Sequence, residues 1–346
     1  MVQNELKLQN SSTHNTEIVG DSILPLKLGD HNLAVKDLQR RLNALGMETD
    51  DTYGYFGLST QKAVSEFQAV RGLIATGECS RQTWDTLVES GWKLGDRMLY
   101  RRTPMFKGDD VAQLQRNLSA YGFDPGRIDG IFGNDTDFAL RDFQRNCGLL
   151  VDGICGQRTI HELNRLRPAN GGTALVSPLR ERWTLISKRE TGLAGKKIVV
   201  CEPGGFDKAT TALKRFFGRS GANVFVLPNI NPSTTAAEAN QLAAELVISL
   251  NLEPATQECS IHYYKGYRYE SEASRQLAEL IEAELSASFN FEATSVIGMA
   301  TPILRETRMP AVELYLGNVK EVVKQITSLA STIITATTQW IEHDWE

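Results

Sequence analysis

Ile198-Val-Val-Cys-Glu-Pro-Gly-Gly205 is an apolar run that ends in a tight turn. A short apolar run stopped by Pro and Gly reads as a buried strand. Two further runs have the same character, Ala244-Glu-Leu-Val-Ile-Ser-Leu-Asn-Leu252 and Met309-Pro-Ala-Val-Glu-Leu-Tyr-Leu-Gly-Asn318. Working outward from them, the chain alternates. Strands are expected at Lys197–Cys201, Asn223–Leu227, Leu246–Leu250, Cys259–Tyr264 and Ala311–Leu316. Helices are expected at Lys208–Arg219, from Thr235 to Leu242, at about 271–288 and at about 319–341. Such alternation predicts an α/β domain with a mostly parallel sheet flanked by helices.

The part before residue 168 follows a different rule. Leu38, Gln39, Arg40, Leu42, Ala44 and Gly46 recur as Leu114, Gln115, Arg116, Leu118, Ala120 and Gly122. Phe56-Gly57, Phe67-Gln68, Gly77, Cys79 and Thr83 recur, in the same ungapped register, as Phe132-Gly133, Phe143-Gln144, Gly153, Cys155 and Thr159. This is one domain present twice. Each copy reads as three short helices, all-α. In the first copy, Val35, Leu38, Leu42 and Leu45 form one helical face that stops at Gly46. Ala63, Val64 and Phe67 face inward from the second helix, and Ser80 is a suitable N-cap for the third. The Phe-Gln pairs read as a core residue followed by a helix-surface residue. A glycine-punctuated loop joins the first two helices, Tyr53-Gly-Tyr-Phe-Gly57 in one copy and Asp129-Gly-Ile-Phe-Gly133 in the other.

The 346 residues carry a net charge of −5, with 41% hydrophobic and 23% charged residues. That balance suits a multidomain globular protein and argues against sequence-independent nucleic-acid binding. Five cysteines, an odd number with no close CxxC pair, suit reduced structural thiols. The first residues have no cationic start followed by an apolar run, and no stretch approaches a membrane span, so a cytoplasmic location is expected. The expected organisation is a disordered tail at 1–24, helical domains at 25–92 and 100–167, a linker at 168–194 and the α/β domain at 195–346. The tail carries Ser11, Ser12, Thr13 and Thr16. The linker holds a short apolar piece, Trp183-Thr-Leu-Ile186.

The repeated pattern resembles the peptidoglycan-binding type 1 domain, the second copy more closely than the first, which has Tyr53 where the second has Asp129. The resemblance implies a shallow groove beside the glycine loop for glycan strands or stem peptides. Arg127, Asp129, Gly130 and Phe132 are the candidates for it. A purely architectural reading of Phe132 and the glycines stands beside that one.

The α/β segment resembles the zinc-dependent N-acetylmuramoyl-L-alanine amidases, which cut the muramoyl–peptide bond of peptidoglycan. The three opening runs match the segments that carry two zinc histidines and a catalytic glutamate in that family. Here those positions are Gly205, Asn251 and Tyr315. The helix that should open with a ligand Glu starts near Asp207 and Lys208 with no Glu in it. Catalytic zinc needs about three protein ligands and an open position for water. The resemblance therefore implies a degenerate site, with no zinc and no amidase chemistry. Two residues could reverse this. Ser260-Ile-His262 resembles the ligand segment as Ser249-Leu-Asn251 does, and Glu313 shares a strand face with Tyr315. His343 sits within the last four residues, a poor place for a ligand. A Cys201, Glu202 and His262 set has no spacing that calls for a metal. There is no GxSxG elbow and no P-loop. Tyr263, Tyr264, Tyr267 and Tyr269 read either as a partner-contact patch or as a half-buried sheet edge.

Repeats, amidase-like domain and missing ligands together resemble the cytoplasmic amidase-like regulators of peptidoglycan synthesis known from actinobacteria, the CwlM type. That resemblance implies a non-catalytic protein that binds peptidoglycan or a muropeptide precursor. It would act on a cytosolic enzyme of the UDP-N-acetylglucosamine enolpyruvyl transferase type, under Ser/Thr phosphorylation. The alternatives are a diverged zinc amidase and a wall-binding scaffold in which only the repeats matter.

Overall fold

The computed structural model describes residues 23–166, 192–267 and 269–342. The Ser/Thr-bearing tail, Trp183–Ile186 and His343 lie outside them. Two compact units result. The first runs to Gly91, and the second holds the chain from Trp92 onward together with Val70–Ile74.

In the first unit α1 (Leu33–Ala44), α2 (Leu58–Val70) and α3 (Arg81–Ser90) enclose a small core. Val35, Leu38, Leu42, Phe56, Val64, Phe67, Trp84 and Leu87 fill it. Asn32 caps α1 by accepting from the Val35 amide (3.0 Å), and Ser80 caps α3 from Thr83 (3.2 Å). The second copy repeats this with α4 (Asp109–Ala120), α5 (Asn134–Asn146) and α6 (Gln157–Arg165) around Leu114, Leu118, Phe132, Leu140 and Phe143.

Both copies are pinned by buried glutamines, which corrects the surface reading of the Phe-Gln pairs. The Gln115 amide oxygen accepts from Gly130 N (2.8 Å), and its nitrogen donates to Ile131 O and Thr136 Oγ1 (3.1 Å each). Gln39 does the same with Gly54 N, Tyr55 O and Thr60. Gln68 and Gln144 hold the second loop of each copy through Gly77 and Gly153. One primary amide thus satisfies a loop N–H and a loop C=O that would otherwise be buried unpaired.

The α/β domain runs β1 (Lys197–Glu202), α7 (Asp207–Arg219), β2 (Asn223–Pro228), α8 (Pro232–Gln241), β3 (Leu246–Leu252), β4 (Cys259–Tyr264), α9 (Glu272–Ser288), β5 (Thr294–Met299), α10 (Pro302–Glu306), β6 (Ala311–Leu316), α11 (Val319–Lys324) and α12 (Ile326–Glu342). The sheet order is β2-β1-β3-β6-β4-β5. All neighbours are parallel except β4 against β6. One face packs Ile198, Val200, Ile248, Leu250, Val312 and Leu314 against α7, α9 and α12. The other packs Val199, Val247, Tyr264 and Ala311 with Ile303 and Leu304 of α10 and Ala236 and Ala239 of α8.

Two expectations change. Strand β5 has only Val296 and Ile297 as a branched apolar core, followed by Gly298, and it is a sheet edge, so its pattern is too weak to read. The expected terminal helix is interrupted at Gln325, where φ is −111° and ψ 32°. The five cysteines are all free, and burial pushes the thiols of Cys79, Cys155, Cys201 and Cys259 up to about 12. Among the described residues no helix is long and apolar enough to cross a membrane.

Replacing Gln115 by Leu keeps the volume and strands the Gly130 amide and the Ile131 carbonyl. The expected loss is about 2–4 kcal/mol of unfolding free energy, read by urea denaturation followed by circular dichroism. Gln39→Leu should cost a similar amount in the first copy.

Candidate functional site

The strand register places the site residues in rows. Cys201 on β1 pairs with Ser249 on β3, Ser249 with Glu313 on β6, and Glu313 with His262 on β4. The next row is Asn251, Tyr315 and Ser260. Residues paired in register point to the same face, so both rows lie on one side of the sheet. Asn251 and Tyr315 are therefore direct neighbours, at the end of the sheet where β1 leads into its turn.

The turn after β1 is built around Glu202. Its carboxylate accepts from the amides of Gly204 (2.8 Å) and Phe206 (3.1 Å), just ahead of α7. That places a negative charge at a helix N-terminus, where it is stabilising, and commits the side chain to holding the turn. Gly205 has φ of +89°, and a Cβ there would meet no atom within 4 Å. The backbone conformation, not lack of room, favours glycine at this position. Helix α7 opens with Asp207 and contains no Glu.

Glu313 and His262 face each other with little solvent, at 3% and 7% exposure. Burial pushes the Glu313 carboxyl up to about 7, against a lowering by the hydrogen bond that Thr301 Oγ1 donates to it. Burial pulls the His262 imidazole down to about 4. Both groups are therefore neutral between those limits. His262 Nε2 is 3.0 Å from Ser260 Oγ, Nδ1 has no hydrogen-bond partner, and the ring packs on Tyr315 at a tilt of 32° with centroids 4.4 Å apart. Asn251 Nδ2 donates to Leu314 O (3.4 Å). Asn229, which follows β2, donates to Ser249 Oγ (3.2 Å) and leaves its buried Oδ1 without a partner.

This donor set does not fit catalytic zinc. The two expected histidine positions offer a glycine and an amide, and the expected glutamate position offers a phenol. Burial, helped by the Glu313 and Glu253 charges, raises that phenol further out of reach of ionisation. Among the described residues no three His, Cys, Asp or Glu side chains come close enough to hold a metal ion. A Cys201, Glu202 and His262 set is not brought together, because Glu202 is bonded into its turn and His262 lies three strands from β1.

The other sequence candidates are placed as follows. Phe132 is fully buried in the copy-2 core, which corrects its assignment to a groove. Gly130 has φ of +74°, and a Cβ there would lie 2.9 Å from Gly108 O, so this glycine is architectural. Arg127 faces α10 of the same unit rather than an open groove, with Nη1 donating to Leu304 O and Thr307 O, whereas the Asp129 carboxylate accepts from Gln115 Nε2 and the Ile131 amide within its own loop. The tyrosine patch also divides. Strand alternation sends Tyr263 and Tyr264 into opposite cores, both buried. Strand β4 is interior, so a sheet-edge reading fails as well. Tyr269 is half-buried, and only Tyr267, at 54% exposure, remains on the surface. Thr301 and Asn229 were not legible as site residues, since each lies in a loop whose direction the sequence pattern does not set.

The sign of the pH dependence follows from these shifts. Glu313 binds its proton more tightly folded than unfolded. Its stabilising contribution is full below about pH 4.5 and is lost as pH rises through about 7, at roughly 1.4 kcal/mol per unit. His262 acts oppositely, its contribution being lost as pH falls from 6.5 through about 4. Glu313→Gln should therefore raise the thermal unfolding midpoint relative to wild type at pH 8 and leave it nearly unchanged at pH 5. Equal shifts at both pH values would contradict the buried neutral carboxyl.

Similarity to known proteins agrees with this architecture. The family profile described as "Putative peptidoglycan binding domain" matches residues 31–87 and 107–163. The N-acetylmuramoyl-L-alanine amidase CwlM of Mycobacterium tuberculosis is 34% identical over 335 residues, covering 84% of this chain and 81% of that protein. The N-acetylmuramoyl-L-alanine amidase CwlL of Bacillus licheniformis is 32% identical over 164 residues, 41% of this chain and 45% of that protein. Among solved structures, the N-acetylmuramyl-L-alanine amidase Ami1 of Mycobacterium smegmatis matches 43% of this chain and 98% of its own, at 15% identity and a TM-score of 0.35. With identity of that level sustained over most of both proteins, this chain belongs to the CwlM family, in which two peptidoglycan-binding repeats precede an amidase-like α/β domain.

Proposed function

We propose that the chain is a non-catalytic, amidase-like protein that binds peptidoglycan or a muropeptide precursor and regulates cell-wall precursor synthesis through protein contacts. The observation that carries this reading is the donor set at the strand ends. Gly205, Asn251 and Tyr315 stand at the three matched positions, and Glu202 is bonded into its own turn. Without three ligands no water is activated, and amide hydrolysis at neutral pH lacks its nucleophile. What the fold retains is binding: two peptidoglycan-binding repeats and a well-packed α/β domain. In this reading the partner is a cytoplasmic enzyme of the UDP-N-acetylglucosamine enolpyruvyl transferase type, and no cofactor is used.

The relatives, named as N-acetylmuramoyl-L-alanine amidases, favour a second reading, a zinc-dependent amidase with diverged ligands. In that reading His262 and Glu313 would have to serve, and their burial opposite each other makes them the residues to change.

The two readings part on one preparation. Protein purified from zinc-supplemented cells should contain well under about 0.1 zinc per chain by mass spectrometry, and should release no stem peptide from muropeptides. Stoichiometric zinc, together with peptide release abolished by His262→Ala, would replace the first reading with the second. A cytosolic pull-down in which the full chain retains a precursor-synthesis enzyme would support the regulatory part. Retention of wall fragments alone would favour a scaffold.

A further inference from the structure

The two glycine loops have diverged in what they can hold. In copy 2, Arg127 Nη1 donates to Leu304 O (2.9 Å) and to Thr307 O (2.6 Å), carbonyls at the C-terminal end of α10. Its guanidinium lies over the Tyr264 ring, 4.4 Å from the centroid. Arg305 Nε donates back to Asp129 O (3.0 Å), and Lys107 Nζ pairs with Glu306 at 2.6 Å. A cation on the last carbonyls of a helix is a C-terminal cap, and here it comes from another domain. Copy 1 has His31, Asp51 and Tyr53 in place of Lys107, Arg127 and Asp129. The Asp51 carboxylate is spent on the amides of Ser59 and Thr60 at the start of α2, and Tyr53 is more than half exposed beneath Lys36. No clamp of this kind can form there.

We propose that α10 is an internal ligand of the copy-2 loop. The second repeat is then a brace on the α/β domain, and the first glycine loop of copy 1 is the unclamped one. This builds on the peptidoglycan-binding reading only for what may compete with α10. A peptidoglycan fragment reaches the copy-2 loop by displacing α10, and any such displacement also pulls on Thr301, whose hydroxyl is bonded to Glu313. Occupancy of the repeat and packing of the degenerate site are thereby linked.

Hydrogen exchange on the full-length chain tests this. In wild type, the amides of 127–133 and 302–308 should be protected together. The Lys107→Ala/Arg127→Ala variant should speed exchange in both segments by about tenfold or more. Protection of Leu114–Leu118 and Leu246–Leu250 should be kept, which shows that both domains remain folded. Arg127→Lys, which keeps the charge but loses the planar guanidinium over Tyr264, should give an intermediate rise. Unchanged exchange at 302–308 in a folded double variant overturns the proposal. A disaccharide–pentapeptide probe then separates the two ideas. Protection of 127–133 by the probe in Arg305→Ala/Glu306→Ala, which loosens α10 and leaves the loop residues intact, but not in wild type supports competition. Protection in wild type without faster exchange at 302–308 overturns it. If the probe protects neither loop in either protein, the peptidoglycan-binding reading fails, while the exchange at 302–308 still decides whether the brace exists.

Discussion

Strand β6 is the constraint on which the α/β domain turns. It pairs in parallel with β3 on one side and antiparallel with β4 on the other. That double pairing sets Ser249, Glu313 and His262 in one row and Asn251, Tyr315 and Ser260 in the next. A slip of one residue would send Glu313 into the apolar face that Val312 and Leu314 now fill, and would turn Leu314 toward His262. The fully buried Val312, Leu314 and Leu316 on the opposite face make that slip costly. The geometry of this polar row is thus a by-product of hydrophobic register.

Charge follows from the same burial. A carboxylate under strands and helices with no cation among the described residues to offset its burial is too costly to keep ionised, so the proton stays on Glu313 near neutrality. A protonated imidazole opposite it would face the same penalty, and His262 goes neutral instead. The tilted contact with Tyr315 then contributes what an aromatic pair can, about 0.5–1.5 kcal/mol. Three residues that could form an ionised catalytic group instead form a neutral packed one. The row is polar in composition and electrically quiet.

The sequence made the architecture legible where period and repetition were strong. Offset identities such as Leu38/Leu114 and Phe67/Phe143 marked a duplication, and the runs ending at Gly205, Leu252 and Asn318 marked three strands at the sheet centre. Side-chain destinations were less legible. Glutamine at positions 39, 68, 115 and 144 looks like helix surface, because propensity says nothing about a loop folding back to meet an amide. Four tyrosines between 263 and 269 look like a patch, yet period-2 alternation splits the first two between opposite cores. Arg127 was placed at the correct loop, but its partner lies some 177 positions away in α10, a distance over which no local pattern reports.

The loop between β5 and β6 joins these strands of argument. It carries Thr301, which donates to Glu313, and α10, whose terminal carbonyls take Arg127. Ile303 and Leu304 anchor it in the same apolar cluster as Tyr264, and Asn240 of α8 brackets its exit through Glu306 O and the Arg308 amide. A segment fixed at so many points transmits rather than absorbs displacement. Withdrawing Thr301 would leave the Glu313 carboxyl buried without its donor, a penalty of about 1–3 kcal/mol. The repeat and the sheet are therefore coupled through a buried carboxyl, the one group in the row whose protonation lies near neutral pH.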